Sequence, residues 1–301
     1  MKNFFHFIVN QKSRNSDAVF KKVLLELPNY TRNYKIHITD NIDQLEKTII
    51  NLKDTMAVDD ILVTIGGDGS LNQTVTFLEK YNVDNFLGYI PSGSGNDFAR
   101  TNGIPVKAEK ALAHLFGVTE PRERSIIHAT QGEENHYAVN SLGIGIDGLV
   151  NHMISEGSRK KMLGPLSYIS GLLNAFVEQD KFPMTVKVDD GVYTFDNVQL
   201  ALVANNPYFG GGIKIVPDAD GGDDVLEVVI GEDVNASKLL NIVSRLLTKQ
   251  THLEHPNLHT FKSKNVALYT EASEYAQKDG EMFHQDGFAL TLSTIKRLFW
   301  I

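Results

Sequence analysis

Residues 61–73 read Ile61-Leu62-Val63-Thr64-Ile65-Gly66-Gly67-Asp68-Gly69-Ser70-Leu71-Asn72-Gln73. Five apolar or β-branched residues run into three glycines within four positions, and a polar helix start follows. The pattern is that of a buried strand, a tight loop and a helix. Ligands of open α/β sheets sit outside the carboxyl ends of the strands. Glycines there remove side chains, so backbone N–H groups can approach phosphate oxygens, and the helix start adds a favourable dipole. The loop lacks the Gly-Lys-Ser/Thr of a Walker loop and the spacing of the dinucleotide fingerprint. Asp68 stands inside this anion site, and a carboxylate beside phosphates calls for a bridging divalent metal. A bare Asp-Gly turn is the plain alternative. Such a turn needs one glycine, not three in four positions.

Outward from this stretch, strands and helices alternate. Phe4 to Val9, Tyr34 to Ile38 and Phe86 to Ile90 read as strands. Asp17 to Leu27, Ile42 to Leu52, Leu71 to Lys80 and Lys107 to Phe116 read as helices. This order predicts an α/β domain with a mostly parallel sheet and helices on both faces. After Glu120-Pro121 short β runs dominate: His136 to Ser141, Met184 to Val188, Val198 to Ala204, Val225 to Ile230, Val266 to Thr270 and Phe288 to Leu292. Helical stretches at Leu166 to Glu178 and Ala236 to Leu247 interrupt them. A second, mostly antiparallel β domain is expected here.

A second glycine loop, Pro91-Ser92-Gly93-Ser94-Gly95-Asn96-Asp97-Phe98-Ala99-Arg100, follows the strand at Phe86 to Ile90. Two such loops on one sheet can line one crevice. Ser92 and Ser94 can offer hydroxyls to phosphate, and Asp97 and Arg100, one helical turn apart, can pair.

Composition narrows the function. The 301 residues are 42% hydrophobic and 22% charged, enough for two domains with separate cores. The 29 basic and 37 acidic residues leave a net charge of −8, against a broadly basic nucleic-acid surface. The absence of cysteine excludes disulfides, zinc-thiolate sites and cysteine nucleophiles and fits a reducing cytosol. The apolar run Phe4 to Val9 is too short for a signal peptide, and no stretch approaches the roughly 20 apolar residues of a membrane span. Lipid would be met from the membrane surface. The ten histidines show no metal spacing, and His252, His255 and His259 are expected at the surface. Arg159-Lys160-Lys161 reads as a solvated turn or as a contact for acidic headgroups or ATP phosphate. Asp286-Gly287 reads as a hairpin turn and Trp300 as core.

In this order and spacing the two loops resemble the diacylglycerol kinase catalytic-domain family, which includes bacterial soluble lipid kinases and the sphingosine and ceramide kinases. The family pattern is G-G-D-G-T/S-x-N-E followed by P-x-G-T/S-x-N-D-F-A/G-R. NAD kinases and phosphofructokinases share the first motif, whereas the second is more specific. Asn140 to Val150, Asn205 to Pro217 and Asp279-Gly280-Glu281 are similar to further family stretches, so nearly the whole chain is covered. The resemblance implies a nucleotide-binding domain over residues 1–124, to which 293–301 return, and a β-sandwich-like lipid-substrate domain over 125–292.

It also implies site residues. Asn10, Lys12, Ser13, Arg14, Thr39, Gly66, Gly67, Asp68, Gly69, Ser70, Leu71, Asn72, Gln73, Ser94, Gly95, Asn96 and Asp97 match nucleotide-binding segments. Glu281 matches the general base, Asp279 its support, and Asp68 a residue near the catalytic magnesium. Asp220, Asp223 and the Val225 carbonyl match a structural magnesium site, with a plain acidic hairpin turn as the equal alternative. The first loop, Asn10 to Arg14, lacks the family glycine. Gln73 stands where Glu is usual, and Arg124 to Ala129 lacks the family Asp. The expected activity is ATP- and magnesium-dependent phosphorylation of a lipid hydroxyl, diacylglycerol to phosphatidic acid by default. A NAD or sugar kinase and a non-catalytic nucleotide- or lipid-binding regulator are the alternatives. The expected setting is cytoplasmic with peripheral membrane contact and no nucleic acid, and a homodimer is left open.

Overall fold

Helices cover both faces of the first sheet, so the strands Ile61–Gly66 and Phe86–Pro91 are buried nearly throughout rather than alternating. A computed structural model describes residues 3–10, 16–146, 148, 173, 175–176, 178–189 and 191–301. The chain divides into two units, residues 1–124 with 296–301 and residues 125–295.

The first unit holds β1 (Phe5–Asn10), β2 (Tyr34–Thr39), β3 (Ile61–Gly66) and β4 (Phe86–Pro91). They lie in the order β2-β1-β3-β4, and each neighbouring pair is parallel. One face packs Phe5, Phe7, Val9, Val63 and Ile65 against α1 (Ser16–Glu26) and α5 (Ala108–Gly117). The other lies under α2 (Ile42–Thr55) and α3 (Asp68–Lys80), which bury Leu45, Ile49, Leu71, Val75 and Leu78. Asn41 caps α2 by accepting from the Gln44 N–H at 2.9 Å. Helix α3 begins at Asp68 rather than Leu71, because Gly69 and Ser70 form a first turn without an apolar side chain.

The chain's last residues close this unit. Phe299, at the end of β15 (Glu281–Phe299), pairs in parallel with Leu87. Trp300 donates its backbone N–H to the Leu87 carbonyl at 2.9 Å and its indole N–H to the Leu115 carbonyl at 3.1 Å. Arg297, buried, reaches Glu79 at 2.6 Å and the carbonyls of Val83 and Asn85 at 2.9 and 3.1 Å.

The second unit pairs antiparallel, in the order β13-β12-β9-β7-β14-β15. Its strands are β5 (Arg122–Gln131), β6 (Glu134–Ala138), β7 (Ser141–Gly145), β8 (Phe182–Val188), β9 (Gly191–Ala204), the short pair β10 (Tyr208–Phe209) and β11 (Ile213–Lys214), β12 (Leu226–Glu232), β13 (Leu258–Ser263), β14 (Val266–Lys278) and β15. Both β9 and β14 exceed the apolar runs that announced them, and each pairs with β8 over one stretch and β7 over another. The strands thus wrap one core that includes Ile144, Phe182, Val186, Val203, Val228, Phe288 and Leu290. The stretches of β14 and β15 beyond the apolar runs carry charged and polar residues, Glu274 and Gln277 buried among them, which hid their length. Asp286-Gly287 is not a hairpin turn. Gly287 has φ +76° inside β15, opposite a register shift between Thr270 and Ser273 of β14. An Asp-Gly pair serves a bulge as well as a turn, since both need positive φ. Strand β13 was not expected, and its Leu-His-Thr-Phe-Lys-Ser pattern is too mixed to announce it. The expected helix at Leu166 to Glu178 and the cluster Arg159-Lys160-Lys161 fall wholly or largely outside the described residues. Among the described residues no helix is long and apolar enough to cross a membrane.

A polar cluster interrupts the first unit. His6 Nε2 lies 3.2 Å from Asp60 Oδ2, and His6 Nδ1 lies 3.2 Å from His37 Nε2. With Nε2 of His6 donating to the carboxylate, Nδ1 accepts from His37. Burial, with the charges of His6 and Lys35, pushes His37 down to about 4.

Two predictions follow from these contacts. Arg297→Ala strips Glu79 and two carbonyls of their donor and lowers stability by about 3 kcal/mol. Trp300, the one tryptophan of the chain, reports this in urea denaturation followed by fluorescence. For His37, the folded pKa lies below the unfolded value of 6.5, so the unfolded chain binds more protons between them. Stability therefore falls as pH drops from about 6.5 to 4, and His37→Gln, which keeps a donor, makes the fall shallower in urea midpoints taken across that window.

Candidate functional site

The order β2-β1-β3-β4 reverses the chain's direction of travel between β1 and β3, and such switch points bind ligands at the carboxyl ends of the strands. Here those ends are Asn10 and Gly66. Asn10 Nδ2 donates to Ser70 Oγ at 3.4 Å. Lys12, Ser13 and Arg14 lie outside the described residues.

The glycines do different work. A Cβ on Gly66 would collide with the Ser70 side chain. A Cβ on Gly93 would stand 2.7 Å from the Gly67 Cα, so the two loops touch backbone to backbone. Gly69 alone of the three in the first loop has nothing within 4 Å of its would-be Cβ. The first two are thus required by packing, and Gly69 leaves open space where a ligand could approach.

Further bonds lock the loops together. The Gly66 carbonyl accepts from the Ser92 N–H at 2.7 Å and the Tyr89 hydroxyl at 3.1 Å. Asp68 Oδ1 accepts from the Phe98 N–H at 3.1 Å, at the start of α4 (Asp97–Thr101). Burial pushes the Asp68 carboxyl up, opposed by the backbone N–H groups of Phe98, Asp97 and Asn96. Asn96 sits at φ +52° and closes its own loop, accepting from the Gly93 N–H at 2.8 Å and donating to the Gly93 carbonyl at 2.9 Å. Ser92 is corrected as a phosphate donor: it is buried, and its hydroxyl meets that of Ser16 at 2.8 Å. Arg100 Nε donates to the Gly95 carbonyl at 3.0 Å.

The remaining candidates sort by exposure. Thr39 is buried and donates to the Val9 carbonyl at 3.3 Å. Leu71 and Asn72 are buried, and Asn72 Oδ1 accepts from Thr76 Oγ1 at 3.0 Å. Asp97 is buried, Gly95 and Gln73 are half-buried and Ser94 is exposed. Gly67, at the N-cap of α3, has no side chain to satisfy the first-turn N–H groups, which leaves them for an anion.

The second unit carries the other candidates. Asp279 and Gly280, at φ +49° and +85°, turn β14 into β15 in the conformation of a type I′ hairpin. The Asp279 carboxylate accepts from the N–H groups of Val139, Asn140 and Ser141 at 2.5, 2.8 and 3.2 Å. Asp279 thus anchors a backbone segment. Glu281 is the first residue of β15, half-buried and opposite Lys278. Around residue 140 lies a buried amide cluster: Asn206 Nδ2 donates to the Val139 carbonyl at 2.6 Å and Asn205 Nδ2 to the Ser125 carbonyl at 2.7 Å. Asn206 lies inside the matched stretch Asn205 to Pro217 but was given no role of its own from sequence.

The acidic turn is self-consistent as a turn. Asp220 Oδ1 accepts from the Gly222 N–H and Asp223 Oδ1 from the Val225 N–H, both at 2.9 Å. Ser125 ties the turn to β5 through the carbonyls of Gly221 and Asp223. Asp220, Asp223 and the Val225 carbonyl form an oxygen-only set that suits magnesium. Among the described residues no cluster of three or more metal-ligating side chains exists, so an ion here would keep several waters.

One feature was not legible in the sequence. A cavity of about 90 Å³ lies under α6 (Ala236–Thr248), walled by Ile146, Phe176, Leu202, Phe209, Val229 and Leu253 among others. Leu239, Ile242, Val243 and Leu246 of α6 line it at helical spacing. His252 and His255, expected at the surface, are 2% and 7% exposed. The 3₁₀ turn His252–Glu254 carries His252 into the cavity wall.

The model for "Diacylglycerol kinase catalytic domain" matches residues 5–125, and that for "YegS C-terminal NAD kinase beta sandwich-like domain" matches residues 140–292. A Bacillus subtilis (strain 168) protein named "Putative lipid kinase YtlR" is 26% identical, over 95% of this chain and 96% of its own length. A Staphylococcus aureus (strain MRSA252) protein, also named as a lipid kinase of that standing, is 24% identical over 89% of this chain and 87% of its own. Two solved chains from Bacillus anthracis str. Sterne share the fold. One, titled as a diacylglycerol kinase, aligns with TM-score 0.70 at 17% identity, covering 97% of this chain and 94% of its own. The other, titled "A putative diacylglycerol kinase", aligns with TM-score 0.76 at 19% identity, covering 99% and 97%.

The loop contacts predict opposite outcomes for two alanines. Gly93→Ala forces two backbones apart and lowers stability by about 1–3 kcal/mol. Gly69→Ala meets nothing and, standing in a helix, leaves stability unchanged or raises it by up to about 1 kcal/mol. Urea denaturation of both variants checks the pair.

Proposed function

The chain belongs to the diacylglycerol kinase catalytic-domain family, and from that we propose that it transfers the γ-phosphoryl group of ATP to the hydroxyl of a lipid, with diacylglycerol as the default acceptor. The observation that carries the lipid half is the cavity under α6. Of the side chains named in its wall, only Gln199 and His252 are polar, which suits a short stretch of hydrocarbon. A NAD or sugar acceptor would call for many more polar groups, so the alternative kinase reading is the weaker one.

The first-turn N–H groups of α3 would receive the ATP phosphates, with Gly69 leaving room for their approach. Asp68 would hold the second glycine loop in place through α4, and Ser94 lies exposed on that loop. Magnesium, when bound, would neutralise phosphate charge. Glu281 would take the proton of the lipid hydroxyl as its oxygen bonds to the γ-phosphorus and ADP leaves. Asp279 would act as a positioning residue, since its carboxylate is engaged with the backbone of 139–141. Asp220, Asp223 and the Val225 carbonyl would hold a structural magnesium that stiffens the turn bound to Ser125. Peripheral contact with the cytoplasmic membrane face follows from the acceptor.

Glu281→Gln is expected to keep ATP affinity and to lower phosphoryl transfer by about 10²–10⁴-fold. Wild-type transfer in that variant overturns the assignment of the base. Radiolabelled ATP offered with separate lipid, NAD and sugar pools tests the acceptor class, and label in the NAD or sugar pool alone overturns the lipid reading. Magnesium-dependent transfer to any pool excludes the non-catalytic regulator.

A further inference from the structure

At the amino ends of β1 and β2 lies a cavity of about 350 Å³ that no step of the proposed transfer uses. The six residues of β1, at about 3.3 Å each, set it roughly 20 Å from the phosphate loops at the other end of the sheet. Its volume falls in the range of small-molecule pockets, about 300–1,000 Å³. The chain between α1 and β2 builds most of the wall and is held at both ends. Leu27 is fully buried, and its carbonyl accepts from the N–H groups of Tyr30 and Thr31 at 3.0 and 3.1 Å. The Asn33 N–H donates to Thr31 Oγ1 at 3.0 Å, and the Asn33 carbonyl accepts from the Phe5 N–H at 3.0 Å. A loop fixed in this way loses little freedom when a ligand arrives.

The wall combines an aromatic stack with a cation. Tyr30 lies on Phe116 with ring centroids 5.0 Å apart and planes at 13°, and Phe5 leans on Phe116 at 4.8 Å. Tyr30 is still 43% exposed, so an entering ring can extend the stack. Arg32 is exposed, and among the described residues its guanidinium has neither a hydrogen bond nor an ion pair. Among the described residues that line the cavity none is an aspartate or a glutamate. Asn29 spends an amide N–H on Glu26 at 3.2 Å, whereas the side-chain amides of Asn3 and Asn33 have no partner among the described residues.

An exposed arginine alone is ordinary surface. Here it shares a preformed cavity with an open aromatic stack and two unengaged amides. A guanidinium meets a carboxylate or a phosphate through two parallel bonds. An amide offers both a donor and an acceptor to the polar edge of a ring. We propose that this cavity is a ligand site separate from the phosphate loops, and that it takes a planar aromatic ring carrying a carboxylate or a phosphate. The ring lies on Tyr30, the anion meets Arg32, and Asn3 and Asn33 serve the polar edge. The proposal does not depend on the kinase reading.

The test titrates the full chain by isothermal calorimetry with two matched pairs, naphthoate beside naphthylmethanol and AMP beside adenosine, without lipid. In at least one pair the wild-type protein is expected to bind the anion about tenfold tighter than its neutral partner. Arg32→Gln is expected to level that pair, and Arg32→Lys, which keeps the charge but not the fork, to retain part of the preference. Tyr30→Leu is expected to weaken the anion about fivefold. Both side chains are exposed, so the variants are expected to keep the wild-type urea midpoint. A preference for naphthoate assigns a carboxylate ligand, and one for AMP assigns a phosphate ligand. AMP bound equally well by the wild type and Arg32→Gln belongs to the phosphate loops and counts as no preference. No preference in either pair, or one that Arg32→Gln and Tyr30→Leu leave unchanged, overturns the proposal. The wild-type comparison alone can do so, so a misfolded variant cannot shelter it.

Discussion

Beyond β3 and β4 the chain places Gly67 and Gly93 so close that a Cβ on Gly93 would stand 2.7 Å from the Gly67 Cα. Much of the first unit's site depends on that approach. It brings the Ser92 N–H onto the Gly66 carbonyl and the Asp68 carboxylate onto the Phe98 N–H. Three strand ends are thereby joined, because Asn10 of β1 reaches Ser70 in the first turn of α3. The result is a preorganised rim whose remaining freedom is the uncapped N-terminus of α3 and the open space at Gly69. Preorganised N–H groups hold an anion without reorganising when it arrives, which is the electrostatic requirement of phosphoryl transfer.

The second unit reaches rigidity by a related route. Asp279 sits in a tight hairpin and accepts three consecutive N–H groups from 139–141, while Asn205 and Asn206 bind the neighbouring carbonyls. Such a buried polar network is stabilising only when nearly every member is satisfied, and here it fixes the base of the hairpin that carries Glu281. Charge-assisted bonds at 2.5–3.2 Å suit a support better than a proton acceptor. The positioning role proposed for Asp279, beside Glu281 as the proposed base, rests on these bonds. In the same unit, α6 turns an apolar face inward over a cavity, and His252 in its wall has a buried Nδ1 with no hydrogen-bond partner among the described residues.

Much of this was legible in the chain itself. Alternating apolar strands and amphipathic helices announced the first unit, because local periodicity reports which faces are buried. Glycine spacing located both loops, and Glu281 and Asp279 stood out by resemblance. Errors came where one local signal serves two geometries. Asp286-Gly287 supplies positive φ to a bulge rather than a hairpin, and β14 and β15 run far beyond their apolar cores because their outer halves are polar. His252 and His255 looked solvated amid polar neighbours, yet the turn after α6 folds them inward.

Residue order along the chain already shows that two glycine-rich loops follow two strands and that a carboxylate stands in the first. Those are statements about nearest neighbours along the chain, where residue type controls backbone freedom. What each glycine of the first loop is for depends on contacts that the fold creates. Gly66 and Gly67 are demanded by contacts with Ser70 and Gly93, and Gly69 alone is left unobstructed. That distinction depends on two segments more than twenty positions apart meeting at van der Waals distance, and no local pattern encodes the distance between them.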